Sequence, residues 1–196
     1  MANTNMPRGL TPVRHRNGAP YNGAFNVYFV PASDGTALYV GDPVKFVTDA
    51  SDAGGIQTVT AASAGNVLLG AVVGLVTAGD IPVAVTRDTL MYRAASTAAY
   101  VLVADNPDLL FEIQEDGVGG VMTVGAVGRN ADIVSGSGNT VTGRSGWQLD
   151  SSTLGTGTAQ CRIVAPVQRP DNDPTADYAK WLVFILEHAF LTATGV

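Results

Sequence analysis

The chain has 196 residues, of which 46% are hydrophobic and only 14% charged, with a formal charge of −6 and a single cysteine. That length suits one domain able to bury roughly 70% of its unfolded surface. One cysteine excludes an internal disulfide and a cysteine-built zinc site. A charged share below the usual ~25% leaves a largely neutral surface, of the kind that faces a partner.

The first residues run against the acidic remainder. No carboxylate precedes Asp34, whereas Arg8, Arg14, His15 and Arg16 all do. The segment through residue 33 carries +3, which leaves −9 for the rest. Pro7, Pro12 and Pro20 remove N–H donors and fix φ, which disfavours a helix or a central strand. No apolar period of 2 or 3.6 is present to bury the segment locally. Residues 1–23 are therefore expected to form an extended arm with little contact to its own domain. It would lie on a neighbouring copy or another partner, with Arg8, Arg14, His15 and Arg16 as contacts and Tyr21 anchoring its exit. The start of the chain lacks the apolar core of a signal peptide. Residues 53–79 are uncharged, but Gln57, Asn66 and several glycines interrupt them, and "VLLGAVVGLV" is about half a membrane span. Folding in a cytoplasm, with no membrane partner, is the expectation.

From residue 24 onward short apolar runs alternate with turn residues. "AFNVYFVP" reads as a strand followed by the turn "ASDG". "TALYVGDPVKFV" is a strand broken at Gly41-Asp42-Pro43. "GGIQTVTA" and "LLGAVVGLVT" read as a pair joined by "ASAGN". The stretch around Ile81 to Thr89 is expected to add a hairpin. "TLMYRAAS", "AYVLVAD" and "LLFEIQED" follow, the last two joined by the turn "NPD". "GGVMTVGAVGRNADIV" holds at most a short helical turn around Met122 to Val127, because its glycines weaken a helix. "SGSGNTVTGRSG" is a loop. "SGWQLD", "CRIVAPVQRP" and "KWLVFILEHAF" complete the strands. In the last, Leu182, Phe184 and Leu186 are expected in the core, with His188 on the same face at its rim, and Trp181, Val183 and Ile185 on the other side. The class is all-β, a single domain over residues 24–196, jelly-roll-like or a related β-barrel or sandwich.

Motifs for chemistry are few. The chain contains no G-x-S-x-G, Walker A or G-x-G-x-x-G. His15 and His188 have no metal-type spacing, and Cys161 falls on a strand face with Ile163, where a small buried thiol is expected. Asp171, Asp173 and Asp177 lack the glycine and distal glutamate of a calcium loop. The carboxylates Asp105, Asp108, Glu112, Glu115 and Asp116 bracket one strand without singling out a catalytic pair. Three arginines with little aromatic interleaving do not make a nucleic-acid site. No catalytic residue, metal or cofactor is expected.

Several long stretches carry a resemblance: "MPRGLTPVRHRNGAPYNG", "DGTALYVGDPV", "YRAASTAAYVLVADNPDLLFEIQED", "GRNADIVSGSGNTVTGRSGWQLDSST", "VQRPDND" and "AKWLVFILEHAF". Together they resemble the head decoration, or cement, proteins of tailed bacteriophages, over nearly the whole chain. The resemblance implies a structural virion protein made in the host bacterial cytoplasm. It would bind the outer capsid surface, bridge major capsid protein subunits and act as a homo-oligomer, a dimer or trimer. The alternatives are a head-completion or tail component, or a glycan-binding or hydrolytic β-module on the particle.

Overall fold

A computed structural model of the protein describes residues 3–78 and 89–192. The expected hairpin around Ile81 to Thr89 lies, except for Thr89, outside the described residues; Thr89 bridges to Val76. The strands in chain order are β1 (Thr11–His15), β2 (Asn26–Val30), β3 (Leu38–Tyr39), β4 (Pro43–Ser51) and β5 (Gln57–Ala61). Then come β6 (Gly70–Thr77), β7 (Tyr92–Arg93), β8 (Ala99–Ala104), β9 (Leu109–Gln114) and β10 (Asn130–Ala131). The chain ends with β11 (Ile133–Val134), β12 (Gln148–Leu149), β13 (Cys161–Pro166) and β14 (Lys180–Ile185). Helical structure among the described residues is limited to three 3-10 turns, one of them at Val124–Ala126 within the expected stretch. The protein is all-β.

Two units share one wall. Strands β2, β5, β4, β6 and β8 close into a barrel, and β1, β9, β14, β13 and β10 form an open sheet in that order. Every pairing in both is antiparallel except β2 with β5. β4 lies between β5 and β6, so these two neighbours in sequence do not pair with each other as expected. The barrel core holds Val30, Val44, Val59, Val72, Leu75, Val101 and Val103. Ala71 and Ala104 belong instead to the sheet's core. All six residues of β8 are buried, as befits a strand covered on both faces.

Arg93 ties one rim of the barrel. It is fully buried, and its guanidinium donates to the carbonyls of Pro31, Asp34, Thr36 and Thr97. A buried charge persists only when its hydrogen bonds are made, and here four backbone acceptors surround it.

Two expectations are overturned. The N-terminal segment is not a free arm: β1 pairs with β9, Leu10 is buried in the sheet core, and residue 23 marks no structural boundary. Pro12 is tolerated because β1 is an edge strand. The segment crosses the barrel at Gly9, where Leu10 N–H donates to the Gly41 carbonyl at 2.9 Å. Further out, Asn3 Nδ2 donates to the carbonyls of Asp173, Ala176 and Asp177, and Gln114 binds both the Met6 N–H and the Thr4 carbonyl. Side-chain amides distant in sequence hold a stretch that has no apolar period of its own.

The last strand is inverted. Trp181, Val183 and Ile185 are buried at 0, 0 and 1% exposure, while Leu182, Phe184 and Leu186 are half-buried. His188 lies past the strand end, buried, where its Nδ1 accepts the Phe190 N–H. With both faces apolar, alternation sets parity but not side. The wider indole reaches the sheet core, and its N–H has no hydrogen-bond partner among the described residues.

Two measurements check this. Trp181→Ala should cost about 3–5 kcal/mol in denaturant unfolding, and Phe184→Ala only about 1 kcal/mol; equal losses would contradict the assigned faces. Gly41 has φ +98°, and an added Cβ would stand 2.0 Å from the Arg8 carbonyl oxygen. Gly41→Ala should therefore lower stability by on the order of 3 kcal/mol, and a loss under about 1 kcal/mol would contradict the crossing.

Candidate functional site, a basic sheet face

The outer face of the open sheet gathers cations around an apolar centre. Arg14 pairs with Leu110, and Phe184 with Arg162. Phe111 pairs with Val183, which places Leu110 beside Phe184. Across β1, β9, β14 and β13 one row thus reads Arg14, Leu110, Phe184, Arg162, and Asn130 of β10 follows it. The next reads Thr11, Glu112, Leu182, Ala165.

The guanidinium of Arg16 lies 5.0 Å from the Phe184 ring centre and that of Arg162 lies 6.0 Å from it. A cation over a ring face is worth about 0.5–1 kcal/mol at an exposed site. Arg16 also donates through Nε to Asp108 Oδ1 at 3.0 Å, and its backbone N–H binds the Asp108 carbonyl. Arg169 forks onto Glu112 at 2.7 and 2.8 Å and reaches Asp171, which Lys180 also binds at 2.7 Å. These pairs are partly exposed, so they orient side chains more than they stabilise the fold. Arg162 donates to Asn130.

Five of the eleven basic residues, Arg14, Arg16, Arg162, Arg169 and Lys180, therefore share one face with three carboxylates, Asp108, Glu112 and Asp171. The face is net +2, which leaves −8 for the rest of a −6 chain. A groove of about 730 Å³ continues from it, lined by Arg8, Thr11, Glu112, Arg169 and Lys180.

The five residues expected to bind a partner are dispersed in part. Arg14 and Arg16 reach the face and Arg8 its groove. His15 pairs through its backbone with Leu109. Tyr21 turns inward: its hydroxyl donates to the Ala24 carbonyl and its ring packs on the sheet core. Burial raises its phenol pKa, with help from Asp105. Sequence reasoning missed Arg162, Arg169 and Lys180. The alternation of Arg162 in β13 and Lys180 in β14 with apolar neighbours was the available signal, but it does not say which strands adjoin, and Arg169 in the connection between them carries no such pattern.

Other chemistry-bearing residues are engaged structurally. Asp173 accepts from the Thr175 N–H and hydroxyl, and Asp171 is paired as described. Among the described residues no group of three or more His, Cys, Asp or Glu side chains is placed to hold a metal ion. No described helix is long and apolar enough to cross a membrane. Compared with protein-family models, curated proteins and solved structures, the chain matches none.

Cys161 is fully buried, and burial pushes its thiol up to about 12, with smaller contributions from Asp132 and Glu187. Only the thiolate is a good nucleophile. A thiol reagent at pH 8 should leave Cys161 unmodified in the native protein and label it fully in denaturant; rapid native labelling would contradict its burial.

Proposed function

We propose that the protein is a structural virion protein of the head-decoration type, which binds the outer surface of a phage capsid and stabilises the shell by bridging its subunits. The observation that carries this reading is the basic sheet face with an apolar centre on an otherwise acidic protein. Such a face fits a complementary acidic protein surface: the cations steer approach and set orientation, and burial of Phe184 and Leu182 supplies affinity.

The strands β1, β9, β14, β13 and β10, of 5, 6, 6, 6 and 2 residues, cover roughly 400 Å² at about 3.3 Å per residue and about 4.8 Å between strands. That is about half of the ~800 Å² per partner in a standard interface. The N-terminal segment and the groove beside it extend the contact. A modest single-site affinity suits a lattice of repeated sites, where neighbouring subunits engaged together raise the effective concentration. Dimers or trimers placed on capsid symmetry axes meet that requirement. The resemblance of the long sequence stretches to decoration proteins points the same way.

The test is binding of purified protein to particles stripped of it. Saturation should require hundreds of copies per particle; a dozen or fewer would favour a head-completion or tail component. The double variant Arg14→Glu, Arg162→Glu should bind more than about 10-fold weaker, and raising salt from about 50 to about 500 mM should weaken the wild type. A double variant that binds as tightly as wild type would overturn the docking face. Absence of wild-type binding to any particle would overturn the decoration role itself.

A further inference from the structure

The loop from β9 to β10 carries no charged side chain between Gly117 and Gly128. It turns Met122 and Ala126 into the sheet core and presents Val118, Val121, Val124 and Val127 to solvent at 79, 42, 63 and 43% exposure. The exposed valines recur at every third residue.

Two adjacent acids at the end of β9 hold the base of this loop. Asp116 Oδ1 accepts from the Val118 N–H, the Ser151 N–H and the Ser151 hydroxyl. Glu115 is fully buried. Its Oε2 accepts the Met122 N–H at 3.2 Å and its Oε1 the Ala179 N–H at 3.4 Å. One carboxyl thus joins the middle of the loop to the residue preceding β14. The charged groups that face it are Asp116 from its own strand end and Asp177 from the segment before β14. From that same segment Tyr178 packs near Gly117, and from β12 Gln148 donates to the Glu115 carbonyl. The loop contributes no titratable group, and no cation pairs with Glu115 among the described residues.

We propose that Glu115 is a proton-operated latch on the valine loop: the neutral acid keeps the loop seated, and the carboxylate releases it. A neutral carboxyl keeps its carbonyl oxygen as acceptor for the Met122 N–H, and only the longer, weaker Ala179 contact is lost to its hydroxyl. A carboxylate in the same place is shut off from bulk solvent, has no cation partner among the described residues, and faces two like charges. Two long N–H bonds do not offset that cost, because desolvation of a buried ion outweighs weak hydrogen bonds.

Burial raises the Glu115 pKa from 4.5 to about 7, Asp177 and Asp116 add to the rise, and the two N–H bonds oppose it. A folded pKa above that of the released state means the seated loop is fully favoured below the lower pKa. That advantage is lost as pH rises through about 7. The difference between the two pKa values bounds the change in the open-to-seated ratio at about 300-fold. The valine stripe is therefore held most firmly in acid, loses that hold progressively between about pH 4.5 and about pH 7, and is at its loosest in alkali. This inference is independent of the partner assigned to the basic face.

Hydrogen exchange of the full chain, read by mass spectrometry over residues 117–128 and corrected for intrinsic rates, tests it. Protection in the wild type should fall by up to about 10-fold between about pH 6 and about pH 8.5. Glu115→Gln, whose amide oxygen can still accept the Met122 N–H, should show no such fall. A flat wild-type profile, or an unchanged pH dependence in Glu115→Gln, would overturn the latch. Should the variant fail to fold, carbon NMR of glutamate-labelled wild type decides. A buried carboxyl titrating above about pH 6 supports the latch, and none above that value overturns it.

Discussion

The architecture depends on one backbone crossing. At Gly9 and Gly41 two segments approach so closely that a Cβ on either would meet the other's backbone oxygen at about 2 Å. Both residues have positive φ, which glycine adopts without a side-chain penalty. The crossing lets Leu10 drop into the sheet core and starts β1 on its register against β9. Everything the N-terminal segment contributes follows from that fixed point. Without it the sheet would end at β9, the row Arg14, Leu110, Phe184, Arg162 would lose its first member, and Arg16 would not reach the Phe184 ring.

The barrel and the sheet divide the work. The barrel is closed and has no free edge among its five strands, and the buried Arg93 pins its rim loops. β8 belongs to both units: Val101 and Val103 face the barrel core, Ala104 faces the sheet core, and the short turn after it leads directly into β9. Small residues sit where the wall is shared. Gly70 passes so near the Ala104 carbonyl that a Cβ there would stand 2.2 Å from its oxygen. The open sheet is thus held rigidly on one side, and its outer side remains available.

Charge is segregated on this scaffold. Three of the five cations on the outer sheet face, Arg16, Arg169 and Lys180, are matched to a carboxylate within reach, which orients their side chains within the protein itself. Arg14 and Arg162 flank Leu110 and Phe184 in one row, and neither has a carboxylate partner among the described residues. The valine loop presents a surface of the opposite kind, uncharged and aliphatic, tied down by Glu115 and Asp116.

The sequence by itself determined the class, most strands and the turns between them. β-branched alternation, Gly41-Asp42-Pro43 and the "NPD" turn are local signals, and local signals survive in a linear reading. It also identified Cys161 as a buried thiol. Tertiary structure alone decided three matters. The side of β14 that faces inward was open because Trp181, Val183 and Ile185 are as apolar as Leu182, Phe184 and Leu186. The choice fell to what lay on each side of the sheet. β4 came between β5 and β6 because barrel closure, not proximity along the chain, sets strand order. The N-terminal segment docked on its own domain through Gly41, Gln114 and the backbone of residues 173–177. Those partners stand far from it in sequence, and polar contacts between distant segments leave no periodic trace in either one.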